Sequence, residues 1–215
     1  ISPRRLHKLK FLQGHEIITT CLKEMNFKNG IDVFFCSEVG PASGLGASSS
    51  LAANFVNVIT KLQNRELAKK KIAMTAYHIG HDVLKWGIGK QDEFAAVYGG
   101  INLLKFSKND VSVKPLFLRK STFNEFQNNS ILFHIGNRKH SSEILHKQLK
   151  NIKDRKPETM SALALAKQYA LDMMDAFKQN DLTRFSEIMK HSWEEKKKFV
   201  RGVSDQRIDN LCKKI

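Results

Sequence analysis

Apolar residues recur along this chain with two different periods, and the changes between them outline its elements. Leu51, Phe55, Val58, Ile59 and Leu62 fall at helical spacing behind a run of serines, which predicts a helix over 48–62. Ala68, Ile72, Ala76, Ile79 and Val83 repeat the pattern and predict a second helix over 66–84. An earlier helix carries Ile17, Leu22 and Met25 and ends at Asn29-Gly30. Between that helix and the one over 48–62 lies the largely apolar run 31–36, which reads as a strand. Alternation returns near 101–106 and 111–116, two strands separated by the turn Ser107-Lys108-Asn109-Asp110, and 131–135 reads as another buried strand. Beyond it the pattern is helical over 141–152, 158–179 and 182–200, with Pro157 at the opening of the longest helix. The fold class is therefore α/β (α+β, two-layer) giving way to a mostly helical part. The basic segment 153–156 is the best linker, although no boundary carries a strong shift in composition.

A chain of 215 residues is long enough for one large domain or two small ones, and 41% hydrophobic with 27% charged residues is ordinary globular composition. No run approaches the ~20 apolar residues of a membrane span. The N-terminal Arg4, Arg5, Lys8 and Lys10 precede no long apolar core, so the start does not read as a signal peptide. Cys21, Cys36 and Cys212 are widely spaced, which argues against a disulfide framework and fits a reducing cytoplasm. The net charge of +15 favours anionic partners. Its lysines, as in 69–71, 147–150 and 196–198, are nevertheless spread along helices without interleaved aromatics. That pattern reads as a solvated surface rather than a nucleic-acid site.

Candidate chemistry centres on the loop Gly40-Pro41-Ala42-Ser43-Gly44-Leu45-Gly46-Ala47-Ser48-Ser49-Ser50. Gly44 and Gly46 let the backbone turn tightly and approach a ligand, since no Cβ intervenes. The first N–H groups of the helix that follows lack internal partners and carry the positive end of its dipole, so they attract phosphate. The serine hydroxyls are available to cap the helix or to reach a phosphate or magnesium. No Gly-Lys-Ser/Thr follows, so the loop is not of Walker A type. A second segment, Gly89-Lys90-Gln91-Asp92, sets one acid ahead of Gly99-Gly100. A third group, His78, His81 and Asp82, has helical spacing that would suit a metal, although a third ligand is not evident.

The order strand, Gly-Leu-Gly-x-Ser-Ser helix, second helix and Gly-x-x-Asp ending in Gly-Gly resembles the GHMP family of small-molecule kinases. Further matches are Gly99-Gly100-Ile101-Asn102, Val111-x-Val113-x-Pro115-Leu116, Gly136-x-x-Lys139-x-x-Ser142-Glu143-Ile144-Leu145 and Ser192-Trp193-x-x-Lys196. Together they resemble the branch that acts on D-glycero-D-manno-heptose 7-phosphate. The resemblance implies a partial GHMP kinase fold, an ATP-binding domain over 1–135 and a C-terminal-type domain over 136–215. It implies an ATP- and Mg2+-dependent sugar-phosphate kinase. Pro41, Ser43, Gly44, Leu45, Gly46, Ala47, Ser48 and Ser49 then hold the nucleotide phosphates, and Ser48 also meets magnesium. Asp92 orients or takes up the acceptor hydroxyl's proton. Lys90, Gln91, Gly99, Gly100 and Lys139 face the sugar phosphate, with Lys139 in place of an arginine. Trp193 is read as a core anchor.

The chain departs from the family at several places. Ala47 replaces the first serine of the loop, and Gly87 replaces a proline ahead of the Gly-Lys-Gln-Asp segment. Gly80 stands where relatives carry a magnesium-binding glutamate, so an acid restored there is expected to strengthen magnesium binding and to favour the helix. The family's first glycine-rich strand loop and its closing Gly-Ala-Gly-Gly-Gly-Gly-Phe-type loop are not in this sequence, so the resemblance covers an internal portion. These departures support a second reading, a non-catalytic GHMP-like protein that binds an anionic ligand or partner.

Overall fold

The computed structural model describes residues 16–38, 43–108, 110–135 and 141–214. Two compact units part at Gly99 and Gly100, whereas the domain division expected at 135/136 adjoins 136–140, outside the described residues.

In the first unit, α1 (Glu16–Glu24), α2 (Ala47–Leu62), α3 (Lys69–Tyr77), a π-helical segment (His78–Val83) and α4 (Gln91–Tyr98) gather around α2. The buried face of α2 is Ala52, Ala53, Phe55, Val56 and Ile59, while Val58 and Leu62 of the expected stripe are 40% and 51% exposed. The face is rotated toward the alanines because Ala52 and Ala53 meet Ala76 of α3, and small side chains allow close helix approach. Ile18, Cys21, Leu22 and Met25 of α1 complete the core with Phe55, Val56, Ile59, Ile72 and Ile79. Burial pushes the Cys21 thiol up to about 12, so this cysteine behaves as a small hydrophobe.

The helix expected over 66–84 is two segments. After Tyr77 the backbone widens, the Leu84 N–H donates to the Ile79 carbonyl five residues back at 2.9 Å, and the Trp86 N–H donates to the Gly80 carbonyl at 2.9 Å. The extra residue in the turn shifts the phase, so Ile79 is fully buried while Val83 is 38% exposed.

Two expected strands are absent. Residues 31–36 and 131–135 are irregular, with Phe34 95% and Ile131 and Leu132 each 77% exposed. Their apolar content suggested burial, but a strand also needs a neighbouring edge at hydrogen-bonding distance. Among the described residues the sheet is the antiparallel hairpin β1 (Asn102–Phe106) and β2 (Val111–Pro115), with Asn102 opposite Pro115 and Phe106 opposite Val111.

That hairpin opens the second unit, which continues with α5 (Lys120–Asn128), α6 (Ser141–Lys153), α7 (Pro157–Gln179), α8 (Leu182–Lys197) and α9 (Gln206–Cys212). Helices α7 and α8 pack along each other. Asn180 ends α7 in the left-handed region at φ 61°, and the Asp181 carboxylate caps α8 by accepting the Arg184 N–H at 2.9 Å. Phe126 of α5 meets Phe177 and Phe185 edge-on, at centroid separations of 5.2 and 5.7 Å, and the Thr122 hydroxyl donates to Asn180. Trp193 is half-buried, with its Nε1 covered and unpartnered. Lys197 and Lys198 pair with Glu194 and Glu195 at 2.7 and 2.6 Å. No helix among the described residues is long and apolar enough to cross a membrane.

Candidate active site

The phosphate-loop candidate is shaped by backbone rather than by side-chain capping. Gly46 is the N-cap of α2 in the left-handed region, φ 71°, and no side chain caps the helix. The amides of the first turn, from Ala47 to Ser49, are thus left without a protein side chain, which is the arrangement that accepts an anion. Ser48 is exposed on that turn, Leu45 is 53% exposed, and the Ser43 hydroxyl accepts the Leu45 N–H at 3.4 Å. Gly40, Pro41 and Ala42 lie outside the described residues.

Asp92 sits directly against this loop. A Cβ built on Gly46 would stand 3.5 Å from Asp92 Cβ and 3.8 Å from Asp92 Oδ2. Two roles that would explain the acid structurally are not filled. The N-cap of α4 is Lys90, with no side-chain cap, and among the described residues no lysine pairs with Asp92. Asp92 stands exposed in the first turn of α4, so the positive ends of two helices, α2 and α4, converge on one spot.

The neighbouring acid is the residue that sequence reasoning placed least well. Glu93 is 1% exposed, and its Oε1 accepts the Ser49 hydroxyl at 2.8 Å while Oε2 has no partner. A buried oxygen without a partner costs about 1–3 kcal/mol. The Ser49 hydroxyl is therefore committed inward, and only its amide remains available to a phosphate. Burial, and secondarily the Asp92 charge, raise the Glu93 carboxyl above its ordinary value of 4.5. The folded state then holds the proton more tightly than the unfolded chain. Its contribution to stability is full below that value and is lost as the pH rises through the folded value. Glu93→Gln, neutral throughout, should therefore gain thermal stability relative to the natural protein as the pH rises above about 4.5. Melting curves across that range check it, and a constant gap would contradict it.

Lys90 stands 5.3 Å over the Tyr77 ring, Gln91 is exposed at the start of α4, and Tyr77 stacks on His81 at 4.8 Å. Gly99 is the C-cap of α4 with φ 64° and Gly100 has φ 67°, so they lie at the end of α4 away from Asp92, roughly 10 Å along its axis. Lys139 lies outside the described residues.

His78 and His81 do not form a metal centre. Each presents Nδ1 to one oxygen of Asp82 at 2.8 Å, and the His81 and then the His78 hydrogen bond hold the Asp82 carboxyl below its usual range. No set of three or more His, Cys, Asp or Glu residues suited to a metal occurs among the described residues. Gly80 is buried within the π-helical segment, and a Cβ on it would lie 2.6 Å from Ile88 Cδ1 and 3.6 Å from Trp86 Cε3. A side chain at position 80 must displace the end of Ile88, which sets a packing cost against the expectation that an acid there would favour the helix. A groove of about 510 Å³ beside α2, lined by Ser50, Asn54, Asn57, Lys61 and Lys69, contains neither Ser48 nor Asp92.

Comparisons with known proteins bear on the family and the fold. Residues 14–100 match the family described as GHMP kinases N terminal domain. A D-glycero-alpha-D-manno-heptose 7-phosphate kinase of Campylobacter jejuni is 29% identical over 178 residues, covering 82% of this chain and 52% of the relative. An L-fucokinase/L-fucose-1-P guanylyltransferase of Bacteroides fragilis is 24% identical over 190 residues, covering 86% of this chain and 20% of the relative. Among solved structures, a D-glycero-D-manno-heptose 1-phosphate kinase from Bacteroides thetaiotaomicron superposes with a TM-score of 0.71 at 23% identity, covering 89% of this chain and 57% of that one. This chain thus spans about half the length of the Campylobacter relative. Residues 14–100 thus match the GHMP kinase N-terminal domain, and the chain shares its fold with part of the Bacteroides thetaiotaomicron structure.

Proposed function

We propose that the complete protein transfers the γ-phosphoryl group of ATP to a hydroxyl of a sugar phosphate, with D-glycero-D-manno-heptose 7-phosphate as the acceptor. The observation that carries this reading is Asp92 against Gly46, which sets an exposed carboxylate beside an uncapped helix N-terminus. Phosphoryl transfer asks the protein mainly to position the two substrates and to neutralise charge. The amides from Gly44 to Ser49 would cradle the phosphates, helped by the converging ends of α2 and α4. Asp92 would hold the acceptor hydroxyl in line and accept its proton as the phosphoryl group departs. Lys90, kept over Tyr77, and Gln91 border Asp92 and are the groups to meet the sugar phosphate.

The residues present suit a nucleotide phosphate better than a bare metal. Ser48 is an exposed hydroxyl at the cradle, and Gly80 offers no ligand. Magnesium would therefore arrive on the nucleotide, held by its phosphates, Ser48 and water. When bound it neutralises charge on the transferring group. A reaction using ATP, magnesium and a sugar phosphate would run in the cytoplasm.

Gly80 is also what favours the second reading, a GHMP-like protein that binds an anionic ligand without turning it over. Soaking the complete protein with a non-hydrolysable ATP analogue should place phosphate oxygens within hydrogen-bonding distance of the Gly44–Ser48 amides. Phosphates bound elsewhere with this loop empty would sink the site. ATP consumption across a panel of sugar phosphates then separates the readings, since the non-catalytic one predicts binding without turnover.

A further inference from the structure

We propose that Glu93 is a positioning residue for the transfer: its carboxyl ties the first turn of α4 to the first turn of α2 through Ser49 and thereby fixes where Asp92 stands relative to the phosphate-binding amides. This rests on the kinase reading above. The tie is the buried hydrogen bond from the Ser49 hydroxyl to Glu93 Oε1, 2.8 Å long and spanning 44 positions of sequence. Its two ends adjoin the functional groups on either side. Ser49 follows Ser48 in the first turn of α2, and Glu93 follows Asp92 in the first turn of α4.

Helix α4 packs on both α2 and α3, and a small roll of α4 about its axis would carry Asp92 across the loop. Phe94, fully buried, anchors α4 by its apolar side, but apolar contact is tolerant of small rotations. A directional hydrogen bond one residue from Asp92 is not. The free oxygen of Glu93 has no partner, so the acid is poorly used as a stabiliser of the core. What it supplies is a defined distance between two helix starts. The Asp92 contact with Gly46, 3.5 Å from its Cβ to a Cβ built there, is the distance that the tie holds.

The test uses the complete protein with Glu93→Gln, Glu93→Ala, Ser49→Ala and the double alanine variant. Glutamine keeps the acceptor oxygen for Ser49, so Glu93→Gln should retain kcat within about threefold. Glu93→Ala should lose about 10- to 100-fold in kcat, the scale of an ångström-level misplacement, with affinity for a non-hydrolysable ATP analogue changed by less than about threefold. Ser49→Ala, which keeps its amide, should fall as far, and the double variant no further than either single, because both remove one interaction. Near-natural kcat in Glu93→Ala, equal losses in Glu93→Gln and Glu93→Ala, or additive losses in the double variant would each overturn the proposal. If Glu93→Ala does not fold, Ser49→Ala carries the same comparison. Crystal structures of the natural protein and Ser49→Ala give a readout that needs no turnover: the Asp92 carboxylate should shift from Gly46 by roughly 1 Å. An unmoved Asp92 overturns the positioning role. Absence of turnover in the natural protein with every sugar phosphate would sink the kinase reading alone, leaving that displacement to decide the tie.

Discussion

Replacing Asp92 with asparagine in the complete protein should lower turnover by on the order of 10²-fold or more while leaving nucleotide binding nearly intact. Asparagine has the same shape and fills the same place beside Gly46, but its amide does not accept a proton at neutral pH. The substitution is unusually clean at this position. Asp92 is exposed, caps no helix, and among the described residues pairs with no lysine, so its loss should leave the melting temperature close to the natural value. The α4 N-terminus does lose one favourable charge, worth about 0.3–1 kcal/mol. A fall in kcat with unchanged stability and unchanged affinity for an ATP analogue therefore isolates the proton-handling role. Near-normal turnover in Asp92→Asn would mean that the hydroxyl is deprotonated elsewhere and that Asp92 serves only the fold.

What was legible in the sequence follows the range of the interactions involved. The long helices α2, α6 and α7 and the β1–β2 hairpin declared themselves because their patterns are local and extended. The glycine loop was legible for a similar reason, since Gly46 marks a left-handed backbone next to a helix start. The irregular runs at 31–36 and 131–135 were misread because apolar content reports burial in general, not the presence of a neighbouring strand. Helices α5 and α9 are short, and only Phe123 and Phe126 mark the first of them in a polar stretch. Asp205, which caps α9 by accepting the Ile208 N–H at 2.9 Å, was the available signal for the second. In the candidate site, Asp92 was singled out by motif, but its contact with Gly46 joins positions 46 residues apart and has no local trace. Glu93 is the clearest omission. Two acids in succession at a helix start read as dipole complement, and nothing nearby in the chain says that the second turns inward to Ser49.

Gly80 is where a reading by family position and the packing disagree most, and Gly80→Glu is the substitution that exposes it. Position-by-position comparison treats the glycine as a lost ligand and a weak spot in a helix. The structure makes it the place where the side chain of Ile88 enters a π-helical turn, with a built Cβ only 2.6 Å from Ile88 Cδ1. Any side chain there must displace the end of Ile88, while Trp86 at 3.6 Å is in ordinary contact. A glutamate adds a carboxylate to a buried position beside Ile79, which is itself fully buried in the core. Overpacking costs typically about 1–3 kcal/mol, and a buried polar group without a partner adds about 1–3 kcal/mol. The sum, about 2–6 kcal/mol, should lower the melting temperature by at least roughly 4 °C. Gly80→Ala should lie between the two, because a methyl group asks only Ile88 to move. The magnesium concentration needed for half-maximal ATP turnover should not fall in whatever fraction of Gly80→Glu folds. Thermal unfolding of the three proteins, followed by a magnesium titration of turnover, checks both parts. A Gly80→Glu variant as stable as the natural protein, and active at lower magnesium, would show that Ile88 yields and that position 80 reaches the metal after all.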